Sequence, residues 1–225
     1  MELKVIARIY TDFKEKFGIP RQSGIAEDAI GKIVFEEEYR RPEALRGLLG
    51  YSHLWLLWEF SESKRDTWSP TVRPPRLGGN KKMGVFATRS PFRPNPIGLS
   101  SVKLCSIEKT QNEGDVLIVS GADILNGTPI YDIKPYLKFT DSHPDAAGGF
   151  SDEVVDYKIK VNFPQNLLST IDEPFRKTLV KILEEDPRPS YKDDPNYEYG
   201  MKISHYEVFF KVKEETLTVT RVVLK

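Results

Sequence analysis

Tyr51–Phe60 reads YSHLWLLWEF, and the fold turns on how this stretch is read. It is apolar, aromatic and nearly uncharged, which suits a strand buried on both sides or lining a barrel. At ten residues it is far short of the roughly 20 that a membrane-spanning helix needs. His53, near its start, is either a hydrogen-bonded structural residue or a polar group delivered to a pocket by a rigid element, where its near-neutral intrinsic pKa would matter. Glu59 carries the same two readings.

Downstream, Ser69–Ser100 reads SPTVRPPRLGGNKKMGVFATRSPFRPNPIGLS and holds six cations, Arg73, Arg76, Lys81, Lys82, Arg89 and Arg93, with no acid. The chain as a whole balances 33 basic against 33 acidic residues, so its charge is sorted along the sequence. Six prolines and four glycines exclude a long helix or a regular central strand across most of it, and only Met83–Thr88 predicts a short strand. A stiff, arginine-bearing stretch of this length points to a surface that holds an anion in a fixed place; a rigid, solvated connector is the plainer reading.

Residues 4–10 predict a first strand with Val5, Ala7 and Ile9 inward. Lys14–Gly24, KEKFGIPRQSG, sets a proline and a glycine among polar side chains, as a simple turn does. Gly31–Phe35 predicts a strand and Pro42–Gly50 a short helix. Ser101–Ile107 and Val116–Ala122 predict strands joined by a polar turn at Gln111–Asp115. In Ala122–Leu137, ADILNGTPIYDIKPYL, Asn-Gly makes a tight turn and Asp132 and Lys134 follow beside Tyr131 and Tyr136; an edge hairpin with a buried salt link is the structural reading. Residues 140–153 read as a surface loop. Beyond Lys160, Thr170–Pro174 predicts a helix entrance, and Phe175, Leu179, Ile182 and Leu183 share one helical face before Pro187. Tyr206–Val212 and Thr216–Leu224 predict a hairpin around Lys213-Glu214-Glu215. The expected architecture is a mainly β domain over residues 1–160 and a small α+β domain over 161–225.

An apolar content of 39% with 29% charged residues belongs to an ordinary soluble globule. The N-terminus lacks a signal-peptide pattern and the single Cys105 excludes an internal disulfide, so the cytoplasm is the expected compartment. His53, His143 and His205 make no zinc pattern, and no metal is expected. The glycine motifs of dinucleotide and P-loop proteins, HExxH and the GxSxG elbow are all missing. What remains is an RNA- or nucleotide-binding β protein, with Arg and Lys for phosphates and Trp68, Phe86, Phe92 and Tyr136 as surfaces for bases.

PRQSG at 20–24, YSHLWLLWEF at 51–60, TVRPPRLGG at 71–79, MGVFATRSPFRPNPIGLS at 83–100 and DILNGTPIYDIKPY at 123–136 together resemble the TsaA/TrmO family. DPRPSY at 186–191 resembles a motif in the C-terminal region of its full-length bacterial members. The resemblance implies a β-barrel catalytic domain, a small C-terminal domain and a homodimer with ligand sites near the subunit interface. It further implies S-adenosylmethionine-dependent N6-methylation of N6-threonylcarbamoyladenosine at position 37 of tRNA. Carried onto this chain, the donor-binding residues are Gln22, Ser23, Gly24, Ser63, Lys64, Arg89, Leu99, Leu125, Asn126, Gly127 and Thr128, with Arg21 beside the first loop. Arg21, Arg73, Arg76 and Arg93 are expected on the RNA side.

A methyl sulfonium is already activated, so positioning and exclusion of water carry much of the expected rate. The acceptor N6 is urea-like and its lone pair is delocalised, which makes a nearby base useful. Asp132 is the first candidate and His53 the second, with Tyr136 orienting the base. Pairing of Asp132 with Lys134 is the structural alternative for that carboxylate, and a non-catalytic tRNA-binding module is the alternative for the protein.

Overall fold

The computed structural model describes residues 2–63, 67–74, 81–155, 157–188 and 194–225. Lys64, Arg76 and the end of DPRPSY, residues 189–191, lie outside the described residues. The first strands are β1 (Ala7–Thr11), β2 (Ile30–Phe35), β3 (His53–Glu59), the two-residue β4 (Thr71–Val72) and β5 (Met83–Gly84), β6 (Ile97–Thr110), β7 (Gly114–Ser120) and β8 (Thr128–Pro135). All but β4 and β5 close into an antiparallel barrel in the order β1-β2-β7-β6-β3-β8. Closure pairs every strand on both sides and so removes the free edges that invite aggregation.

YSHLWLLWEF lines the barrel as β3. Leu54, Leu56 and Trp58 are buried inside with Ile9, Ile33, Val102, Leu117, Val119 and Ile130, while Trp55 and Leu57 alternate outward and are only half covered. This is the period of two that a strand with one core-facing side requires. Burying a large aliphatic or aromatic side chain contributes about 1.5–3 kcal/mol, so the register of β3 is strongly fixed.

Several expectations change in the folded chain. The first strand begins at Ala7, leaving Val5 half-buried ahead of it. Pro42–Gly50 forms two short 3-10 turns, Pro42–Leu45 and Leu48–Gly50, because Gly47 sits between them in the left-handed region at φ 87°. Met83–Thr88 is a strand only over Met83–Gly84; Val85–Ala87 then coils into a 3-10 turn that buries Val85. Residues 140–153 include the end of the short helix α1 (Lys138–Asp141) and most of a 3-10 turn at Gly149–Val154. β8 is no edge strand, since it pairs with both β1 and β3 and closes the barrel. Its Asp132–Lys134 ion pair faces solvent, with side chains 42% and 63% exposed, and is not buried.

The C-terminal region consists of β9 (Lys160–Asn162), α2 (Gln165–Leu168), α3 (Glu173–Glu184), β10 (Tyr199–Ile203), β11 (Tyr206–Lys213) and β12 (Thr216–Leu224). Its sheet runs β10-β11-β12-β9, with β9 and β10 additional to the expected hairpin. α3 buries Leu179, Ile182 and Leu183 against the sheet, as its spacing predicts. Between β1 and β2, the chain leaves the barrel and contributes to this second core: Phe13, Ala26 and Ala29 are buried in it, Phe17 and Ile19 pack against it, and Phe17 stacks on Phe210. The loop that carries PRQSG is therefore packed in the C-terminal core and tied to the barrel by hydrogen bonds from Ser101 to Ser23 and from Gly24 to Gly121. No helix among the described residues is long and apolar enough to cross a membrane.

Candidate functional site

β6 runs on beyond its partner β7, whose pairing begins only at Lys103, so residues 97–102 are laddered to β3 alone. The PRQSG loop covers this overhang. The Ser23 hydroxyl accepts the Ser101 N–H at 3.1 Å, and the Gly24 N–H donates to the Gly121 carbonyl at 2.9 Å. Gly24 and Gly121 both have positive φ, 82° and 77°, and a Cβ on Gly121 would lie 3.3 Å from the Gly24 backbone. Glycine is needed at Gly121 for conformation and for close approach alike. The turn before β8 is fastened to β1: Asn126 and Gly127 donate to the Phe13 and Ile9 carbonyls, each at 2.8 Å, and the Asn126 side chain accepts the Thr11 N–H at 3.0 Å.

Gly24 and Gly127 face open ground, since a Cβ on either would meet nothing within 4 Å. Nearby, Leu99 is 49% exposed on the outer face of β6. Arg89 donates to the Gln22 side-chain oxygen at 2.6 Å, tying the proline-rich stretch to the loop. Bare backbone, an exposed leucine and an arginine together suit a nucleoside bearing an amino-acid carboxylate.

Asp123 lies at the centre of this rim. Its carboxylate accepts the Ser100 hydroxyl at 2.6 Å, and Ser100 in turn accepts the Trp58 indole N–H at 2.9 Å. The Trp58 indole lies over Gly98, its cross-strand neighbour, where any side chain would collide with the ring. Burial pushes the Asp123 carboxyl up to about 6, against hydrogen bonds from Ser100, its own N–H and the Ser23 N–H and the charge of Arg89. One carboxylate thus connects the barrel interior, the loop and the arginine.

The C-terminal region braces the same loop. Arg21 donates to the Asp186 carbonyl at 3.0 Å, while the Asp186 carboxylate accepts Arg188 through two nitrogens, both at 2.8 Å, and the Tyr157 hydroxyl at 3.0 Å. Burial raises the Asp186 pKa, but the bonds and charge of Arg188 and the Tyr157 bond outweigh it and hold the carboxyl below its usual range.

Residues 8–142 match the family model described as the tRNA-methyltransferase O N-terminal domain, and residues 156–225 match the TrmO C-terminal domain. The chain belongs to the tRNA-methyltransferase O family. It is 37% identical over 221 residues to a tRNA (adenine(37)-N6)-methyltransferase of Escherichia coli, covering 95% of this chain and 94% of that one. A protein of the same description from Eikenella corrodens is 46% identical over 166 residues, covering 73% and 92%. A crystal structure of TrmO from Pseudomonas aeruginosa superposes with a TM-score of 0.77 at 31% identity, covering 99% of this chain and 98% of that one. The resemblance and the barrel with its smaller α+β partner are both borne out.

Of the residues expected at the family's donor site, Gln22, Ser23, Gly24 and Arg89 are linked through the hydrogen bonds around the rim. Leu99 lies on the overhang, Leu125 to Thr128 form the adjoining turn, and Thr128 is buried beneath it. Ser63 follows β3, with its N–H on the Phe60 carbonyl at 3.0 Å. Asp132 flanks Leu57 in the same cross-strand row as Leu99, about two strand spacings or ~10 Å away. Its partner is Lys134, at 2.8 Å. His53 and Tyr136 pair at the start of β3, ring to ring at 6.2 Å; His53 is two residues from Trp55, the cross-strand partner of Ser101, roughly 7 Å at strand rise. Arg73 is exposed beside the β4–β5 ribbon, and Arg93 donates to the Thr88 carbonyl at 3.1 Å. Asp123 was missed by sequence reasoning; its signal was an acid placed directly after a strand between the apolar residues Ala122 and Ile124.

Proposed function

We propose that this protein transfers a methyl group from S-adenosylmethionine to N6 of N6-threonylcarbamoyladenosine at position 37 of tRNA. The observation that carries the reading is the rim itself: the 22–24 loop, the start of β6 and the 125–128 turn meet around the half-buried Asp123, with Arg89 at its margin. When bound, S-adenosylmethionine supplies an electrophilic methyl on a sulfonium. Arg89 is the partner for the donor's carboxylate, Leu99 and Leu125 supply apolar contact for its adenine, and Asp123 places negative charge where a cation is to be held. Asp132 takes the proton that N6 loses as the new N–C bond forms and the methyl–sulfur bond breaks, its electron pair staying on sulfur to leave a neutral thioether. The active form is a homodimer working in the cytoplasm, where the second copy completes the open side of the rim.

Methyl label from the donor is expected in tRNA that already bears threonylcarbamoyladenosine and not in the same transcript without it. Equal labelling of both RNAs overturns the substrate assignment. Binding of tRNA without any transfer would make the protein a binding module.

A further inference from the structure

β4 and β5 form a two-stranded ribbon that is not part of the barrel sheet, held at its base by the Val85 N–H on the Pro70 carbonyl at 2.9 Å. Val85 is buried and anchors the ribbon, while the next residue, Phe86, is 72% exposed. Trp68 is 52% exposed, and its ring lies beside that of Phe86, centroid to centroid 6.1 Å and only 30° from parallel. Aromatic rings ordinarily contribute by leaving water, so two neighbouring rings left this wet mark a contact surface.

The surroundings identify the contact. Arg73, Lys81, Lys82 and Arg89 are exposed on the same stretch, which contains no acid from Ser69 to Ser100. A protein partner buried on aromatics does not require a frame of cations, whereas an RNA strand offers flat bases joined by phosphates. Arg89 follows Phe86 by three residues and is bonded to Gln22 of the donor loop, which keeps the rings within roughly 10 Å of the rim along the chain.

We propose that Trp68 and Phe86 form a stacking platform for an unpaired base of the tRNA loop, next to the nucleoside presented for methylation. The inference rests on the proposed tRNA substrate and adds a recognition element that reads an unstacked base without hydrogen-bonding its edge. Stacking of this kind tolerates any base and requires single-stranded RNA.

The full-length protein is titrated with an anticodon stem-loop carrying threonylcarbamoyladenosine, and separately with a duplex RNA of equal phosphate count. Of the three tryptophans in the chain, Trp55 is half covered and Trp58 is buried, so Trp68 is the one most open to an RNA ligand. The stem-loop is expected to quench tryptophan emission and the duplex to leave it unchanged; Trp68→Phe removes the quenching while keeping the affinity. Phe86→Ala is expected to weaken stem-loop binding about tenfold, within the range that loss of one stacked base gives, with donor affinity and the salt dependence of RNA binding unchanged. Phe86→Tyr restores the affinity. Both side chains are exposed, so these variants retain the fold, and thermal unfolding verifies it.

Wild-type stem-loop affinity in both Phe86→Ala and Trp68→Ala overturns the platform, as does equal quenching by duplex RNA. A change in sedimentation of the RNA-free variants without a change in RNA affinity also overturns it, and assigns the rings to contact with a second copy. Failure of the tRNA reading itself is separately visible, as no methyl transfer by the wild-type protein.

Discussion

Asp123→Asn isolates the electrostatics of the rim. In the folded chain the Asp123 carboxyl is raised from 3.8 to about 6, chiefly by burial. The folded protein therefore binds this proton more tightly than the unfolded chain. The stability from that difference is complete below about pH 3.8 and is lost as pH rises through about 6. A rise of this size corresponds to about 3 kcal/mol between the two limits. Asparagine keeps the shape and can still accept the Ser100 hydroxyl, but its amide replaces the oxygen facing the Ser23 N–H, a fixed cost of about 1 kcal/mol at every pH. Urea unfolding of both proteins at a series of pH values measures the difference directly. Wild-type stability minus variant stability should fall by about 3 kcal/mol from acid to neutral pH, centred between pH 3.8 and 6. In the same window, wild-type affinity for S-adenosylmethionine should rise with pH, because a sulfonium favours the ionised carboxylate, while the neutral thioether product should show a smaller rise. A stability difference that stays flat with pH would falsify the burial of this charge.

Three other substitutions probe the supports of the rim. Gly98→Ala drives a methyl into the Trp58 indole and should destabilise the protein by about 1–3 kcal/mol, read as a lowered urea midpoint. Arg188→Ala removes the guanidinium from an ion pair whose two side chains are only 17% and 9% exposed, so it should cost about 3 kcal/mol and weaken donor binding through the loosened Arg21; unchanged donor affinity would show that the loop does not depend on this brace. Asp132→Asn breaks only an exposed pair and should change stability by less than about 1 kcal/mol, while single-turnover methylation with both ligands saturating should fall about a hundredfold; an unchanged chemical rate removes Asp132 from the catalytic residues.

The barrel was legible because its strands obey the period of two: Leu54, Leu56 and Trp58 in β3, and Ala7 and Ile9 in β1, all face one core. Where the sequence misled, a single residue or a distant partner decided the outcome. Gly47 broke a helical pattern into two turns, and β8 looked like an edge because its two neighbours, β1 and β3, both lie about 70 residues or more before it in the chain. Lys14–Gly24 read as a simple turn because the core that its Phe17 and Ile19 join, with Phe13 just before it, is built mostly from residue 159 onward. The residues of the 22–24 loop were singled out through family motifs, whereas Asp123 was not, since its character comes from Ser100, Trp58 and the loop folding over it. Local pattern reports which face of a strand is buried; it does not report which carboxylate ends up dehydrated.

The central claim is that the rim around Asp123 serves methyl transfer to one nucleoside. The most direct measurement is mass analysis of the nucleosides released from threonylcarbamoylated tRNA after incubation with the wild-type protein and S-adenosylmethionine. The account predicts that threonylcarbamoyladenosine is replaced by a nucleoside heavier by one methylene, with fragmentation placing the added methyl on N6. Recovery of unaltered threonylcarbamoyladenosine, or a methyl group on any other nucleoside, would contradict it.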